Sequence, residues 1–304
     1  MERKIKMDRS SIGTRMKSYE DVQKTYLTRR MPVIIRVDGN AFHTFTRGFD
    51  RPFDSIMTEA MQRTMKYMCE NISGCVLGYT QSDEITLLLI DYKKKNQDAW
   101  LGYVKRKVET ISASMATMAF NEAFADVLTE KMTEEIAKAK NNEEINNIKD
   151  HYWKYMKKCG KAMFDSRAFN IPEFEVVNEF IWRQQDCTRN SIQSVGHANF
   201  SDKKMHKKNM SEIQDMLMLE KGINWNEFPI FLKRGSCCFK EDYFIPEDEL
   251  PENHRNNLKP RTLNPDEDEY GVWRSRWVID KEIPIFTQNK KYVTKCIPGY
   301  NERR

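Results

Sequence analysis

The chain has 304 residues, 39% of them hydrophobic, and its 50 basic side chains nearly balance 45 acidic ones for a formal charge of +5. That is enough apolar material for one large globular domain with additions, and too little net charge to mark a polyanion partner by itself. No uncharged apolar run approaches the roughly 20 residues of a membrane span, and seven cysteines without a CxxC pair indicate neither a zinc site nor a disulfide framework. Met1 to Gly13 is charged and lacks an apolar core, so the expectation is a cytoplasmic protein in a reducing compartment.

Residues 1–31 are polar, with Tyr19 and Tyr26 as expected contacts onto the body, and Pro32 punctuates the entry to a first strand. That strand, Val33-Ile34-Ile35-Arg36-Val37, runs directly into Asp38-Gly39 and then Asn40-Ala41-Phe42-His43, delivering a carboxylate and a flexible backbone carbonyl at its end. Beyond a loop at 46–52, apolar residues from Phe53 through Ile56, Met57, Ala60, Met61, Thr64, Met65 and Met68 fall on one helical face, and Gly74 ends the pattern. Its methionines read as core filler.

Two strand-like runs, 76–79 and 85–90, flank Thr80-Gln81-Ser82-Asp83-Glu84 and predict an antiparallel hairpin with an acidic turn. If that turn lies beside the end of the first strand, Asp38, Asp83 and the Gly39 carbonyl make an incomplete oxygen cage. Magnesium suits such a cage, taking its other ligands from water and phosphates. The alternative is that Asp83 and Glu84 only solvate a turn.

A second long helix begins near Trp100 and carries Lys107, which points either toward the acids or into water. From 129 to 158 the composition turns to Glu, Lys and Asn, which predicts an exposed helical excursion. A strand at 162–169 contains Asp165 and Arg167, and Pro172 opens a helix to about Gly196. One face of that helix repeats polar residues at Arg183, Asp186, Arg189 or Asn190, and Gln193, forming a hydrogen-bond network or a phosphate-holding face. A basic cluster at 203–208 precedes a helix at 211–221. The tail beyond Lys233 reads as a small β-rich appendage with an acidic loop at 246–268.

Four segments in this order, Arg36 to Phe45, Gly78 to Glu84, Phe164-Asp165-Ser166-Arg167 and Trp182-Arg183-Gln184-Gln185-Asp186-Cys187, resemble successive motifs of the tRNA-His guanylyltransferase superfamily over roughly residues 14–240. Thr188 to Ile192 and the stretch from Lys221 to Gly235 are similar to its bacterial and phage-type guanylyltransferase-like branch. The resemblance implies an α+β fold whose core is a polymerase-palm-like, ferredoxin-like antiparallel sheet with helices packed on it. A catalytic domain would span 1–240 with the excursion near 129–158, and an appendage 241–304.

It implies a magnesium-dependent 3′-to-5′ nucleotidyltransferase adding nucleotides to the 5′ end of tRNA or tRNA-like RNA, with GTP and ATP as substrates, in tRNA-His maturation or repair of truncated tRNA. Two magnesium ions would sit on Asp38, Gly39 and Asp83, with Asp38 and Asp83 catalytic. The nucleotide would lie against Asp38, Gly39, Asn40, Ala41, Phe42, His43, Ser82 and Asp83, and phosphates or RNA against Arg36, Arg51, Lys107, Arg167, Arg183 and Asn190. The same resemblance implies a homo-oligomer, commonly a tetramer. A palm-type nucleotide cyclase or a catalytically silent RNA-binding protein are the competing readings.

Overall fold

A computed structural model describes residues 10–254, 258–261 and 269–300; the first nine residues and much of the acidic 246–268 stretch, namely 255–257 and 262–268, lie outside the described residues. In chain order the elements are α1 (Ser11–Asp21), β1 (Val33–Gly39), α2 (Phe42–Phe45), α3 (Ser55–Asn71), β2 (Cys75–Gln81), β3 (Glu84–Leu89), α4 (Lys105–Lys138), α5 (Asn142–Met156) and β4 (Phe164–Asn170). They continue with α6 (Val176–Asn199), α7 (Asp202–Met205), α8 (Met210–Lys221), α9 (Ile230–Arg234), β5 (Ser236–Pro246), β6 (Lys259–Pro260), β7 (Tyr270–Asp280) and α10 (Lys291–Thr294).

Mixed helices and one antiparallel sheet make up the architecture, with the strands in the order β4-β1-β3-β2-β5-β7-β6. Strand β1 is covered on both faces, which is why it reads as a nearly continuous apolar run. Val33, Ile35 and Val37 pack with residues of α3 and α4, whereas Ile34 packs with Val176 and Phe180 of α6 and with Tyr292 and Val293 of α10. The β1–α3–β2–β3–α4–β4 passage places α3 and α4 side by side on one face and leaves the ends of β1 and of the β2–β3 hairpin adjacent.

Three parts differ from the sequence expectation. Tyr19 is exposed and α1 buries none of its residues, because that helix lies outside both core layers. Residue 240, expected at a boundary, lies inside β5: Ser236 to Phe239 pair with β2, and the strand continues against β7. Residues from Ile283 to Ile297 fill the α6-side core. The 129–158 stretch is the end of α4 and all of α5, and it packs its buried Tyr152 and Tyr155 into the core beneath α3 and α4.

Candidate active site

Strand register determines which carboxylates meet. Asp38 lies opposite Asp165 of β4 and opposite Glu84 of β3. The β2–β3 turn consists of Ser82 and Asp83, with Ser82 at φ 49° in the left-handed region. The Gly39 N–H donates to the Asp83 carbonyl at 3.1 Å, so the turn is tied to the end of β1.

Burial, and then the charge of Asp38, push the Asp83 carboxyl above its ordinary range, while a hydrogen bond from the Ser82 hydroxyl to Oδ1 at 2.9 Å counteracts them. Glu84 is also raised by burial, and Arg183 opposes that shift through an Nη1 to Oε2 contact of 2.9 Å. Arg183 therefore neutralises Glu84, whereas neither Asp38 nor Asp83 is ion-paired with a lysine or arginine among the described residues. Two adjacent, uncompensated carboxylates and a neighbouring glycine carbonyl suit a hard cation. No three His, Cys, Asp or Glu side chains converge among the described residues, so an ion held here would complete its shell from backbone, water and phosphate.

The acids open onto a cleft of about 690 Å³, a volume in the range of small-molecule and cofactor sites. Asp38, Gly39, Ala41, Phe42, His43, Arg51, Ser82, Asp83 and Asn190 all line it. Phe42 does so with little of its ring, which is 4% exposed and packed on Phe45, Phe120 and Phe164 at centroid distances of 5.0, 5.5 and 4.9 Å. Its contribution to the cleft is therefore backbone. Asn40 is exposed and gives its N–H to the Met163 carbonyl at 2.9 Å.

The remaining candidate bases stand apart from the cleft. Arg36 lies under Trp182, its guanidinium carbon 5.4 Å from the ring, and exposed Arg167 faces Arg36 across the β1–β4 pair with Asp165 at 3.6 Å. Lys107 is exposed on the first turn of α4, at the opposite end of the sheet from the acids. The helix meets the acidic end near Thr117, whose hydroxyl accepts the Phe164 N–H at 3.1 Å. Ten residues of helix separate the two positions by about 15 Å. Along α6, Asp186 gathers Arg183, Arg189 and Asn190 into the network reading of that face, and Gln193 is exposed outside it.

The cleft also contains residues that sequence inspection did not single out. Asp54 caps α3 through Oδ1, which accepts the Met57 N–H at 2.9 Å. An acid directly before the apolar helical repeat is the signal that marks it. Gln62, almost fully buried, donates to the Ser236 hydroxyl at 2.8 Å across the cleft floor.

Comparisons with known proteins point one way. A sequence model described as tRNAHis guanylyltransferase matches residues 13–172. An uncharacterized protein of Acanthamoeba polyphaga mimivirus is 31% identical over 241 residues, covering 76% of this chain and 77% of that protein. Among solved structures, a bacterial tRNA(His) guanylyltransferase-like protein in complex with ATP superposes with a TM-score of 0.72 at 39% identity, over 94% of this chain and 99% of that one. The corresponding complex with GTP gives 0.67 at 36% identity with the same coverage.

Proposed function

We propose, from the premise that this chain belongs to the tRNAHis guanylyltransferase family and is a nucleotidyltransferase, that it adds nucleotides in the 3′-to-5′ direction to the 5′ end of tRNA or a tRNA-like RNA. The observation that carries this reading is the pair of uncompensated carboxylates, Asp38 and Asp83, at the mouth of a nucleotide-sized cleft. The bacterial relatives hold ATP and GTP, which supports the same cleft as the nucleotide site. The β4-β1-β3-β2 order, with acids at a strand end and in the adjoining hairpin turn, supports a polymerase-palm-like, ferredoxin-like body.

In this reading Asp38, Asp83 and the Gly39 carbonyl hold two magnesium ions. Bound there, magnesium supplies charge neutralisation for a triphosphate and acidifies an attacking 3′ hydroxyl. The chain's own residues do the positioning. Ala41, Phe42 and His43 line the cleft together with Ser82 and the acids, and Arg51 in the same lining is a planar phosphate partner. Arg183 keeps Glu84 neutralised, and Asp50 and Asp54, which also line the cleft, are engaged by Lys154 and by the Tyr155 hydroxyl, which leaves Asp38 and Asp83 as the carboxylates for cations. Within the family, the run from Thr188 to Ser194 departs from the eukaryotic His-Ile-Asn-Asn-Leu-Tyr-Asn pattern and keeps Asn190, which supports repair of 5′-truncated tRNAs over a role confined to tRNA-His. A cytoplasmic setting, supported by seven free thiols, and a homotetramer belong to the same proposal; solution mass measurement tests the latter.

The test is incubation with magnesium, labelled GTP and a tRNA lacking its first nucleotide, beside an Asp38→Ala/Asp83→Ala double variant. Wild type is expected to extend the 5′ end and the variant to leave it unchanged. Absence of extension by wild type from both monophosphate ends supplied with ATP and triphosphate ends overturns the proposal, as does extension by the variant.

A further inference from the structure

The wall of the cleft made by the 46–54 loop is held from outside by one helix. Tyr155 at the end of α5 donates its hydroxyl to Asp54 Oδ2 at 2.6 Å. Lys154 donates to Asp50 Oδ1 at 2.8 Å, and Lys158, just past the helix, donates to the Thr44 carbonyl at 2.9 Å. Phe49 of the same loop lies on the Tyr155 ring with centroids 4.6 Å apart. Three contacts thus run from residues 154–158 onto a loop whose Phe49, Asp50, Arg51 and Asp54 line the cleft, and a fourth reaches α2 just before it.

Asp54 is the junction. Its Oδ1 caps α3, while Oδ2 accepts both the Asp50 N–H at 3.0 Å and the Tyr155 hydroxyl. The residue is 9% exposed, so the orientation of its carboxylate is fixed by these donors rather than by water. Burial, together with Asp54, raises the Tyr155 hydroxyl well above the usual phenol range, which keeps it a donor at any working pH. The helix that carries Tyr155 and leads into Lys158 buries only Tyr152 and Tyr155 of its own residues, so its inward surface is spent on this loop and the adjoining α4.

We propose that α5 and the residues just after it are a brace for nucleotide binding, with Tyr155 and Lys158 as positioning residues that hold the 46–54 loop and the adjoining α2 in their ligand-ready form. The proposal rests on the reading that the cleft takes the incoming nucleoside triphosphate. A loose loop costs affinity, because binding must then order it. The effect therefore falls on nucleotide affinity and leaves the acids at the other wall unchanged.

The test uses the full chain, binding of GTP and ATP with magnesium by calorimetry, and steady-state extension of a 5′-truncated tRNA. Tyr155→Phe, which keeps the ring on Phe49, and Lys158→Met are each expected to raise the nucleotide Kd and KM about five- to tenfold, with kcat changed less than about twofold. The KM for RNA stays as in wild type. Trp153→Ser, on the exposed side of α5, is the control and leaves all four parameters unchanged. If Tyr155→Phe does not fold, Lys158→Met decides, since its side chain is tethered at the surface. The brace is overturned if the folded variants keep nucleotide Kd and KM within twofold of wild type, or if kcat falls while KM does not. A wild-type protein that binds neither nucleotide refutes the cleft reading itself, a result distinct from equal binding by wild type and variants.

Discussion

Replacing Arg183 with methionine removes one half of a buried ion pair and leaves the other half in place. Arg183 and Glu84 are 6% and 8% exposed, and their contact is 2.9 Å. Stranding a carboxylate in this way costs about 3–5 kcal/mol, against a native stability on the order of 5–15 kcal/mol. At about 2–4 °C per kcal/mol for a chain of this class, the melting temperature drops by roughly 6–20 °C. Glu84→Gln in the Arg183→Met background removes the stranded charge and is expected to recover half of the loss or more.

A pH signature accompanies the energy. Burial already holds the Glu84 carboxyl above its ordinary value even with Arg183 beside it, and losing Arg183 raises it further. The variant's native state then binds a proton at higher pH than its unfolded chain does. Its stability is greatest below the unfolded value and falls as pH rises through the raised one, so acidification toward pH 5 narrows the gap to wild type. Urea denaturation of the three proteins at pH 7.5 and pH 5 measures this. A single-variant loss under about 1 kcal/mol, or a double variant no better than the single, would refute the buried-pair reasoning.

Other expectations are as specific. Asp83→Asn removes a carboxylate that burial and Asp38 both disfavour; without magnesium it should melt above wild type while losing at least about 100-fold in nucleotide addition. Gly235→Ala places a Cβ 2.5 Å from the Thr80 carbonyl at φ +82°, and a loss of about 2–4 kcal/mol in thermal unfolding is expected. Phe42→Ala should cost about 3–5 kcal/mol as a core truncation, whereas Phe42→Leu should keep nucleotide affinity within about threefold, since the ring serves the aromatic cluster. Loss of binding in a stably folded Phe42→Leu would show that the ring faces the nucleotide.

Local pattern carried much of this architecture. The apolar stripe of α3 and the acidic turn between β2 and β3 follow from spacing alone, whereas the chain leaves β1 through Ala41 in the left-handed region, and Gly39 makes room for the Phe42 ring. What spacing omits is position along an element. The period of α4 gives its buried face but not which end meets Asp38, so Lys107 fell at the far end. Long-range pairing is equally silent: nothing near residue 240 announces that Ser236 to Phe239 will extend β2. The brace was hidden because α5 is mostly polar, and Tyr155 acquires its role only where Asp54 arrives from 101 residues away.

The central claim, that Asp38 and Asp83 are a metal centre for nucleotide transfer, is tested most directly by counting ions. Manganese titration followed by electron paramagnetic resonance, in the presence of a non-hydrolysable GTP analogue, should show two bound ions per complex of wild-type chain and nucleotide. Asp38→Asn and Asp83→Asn should each lose at least one of them. Unchanged ion binding in both variants would contradict the account.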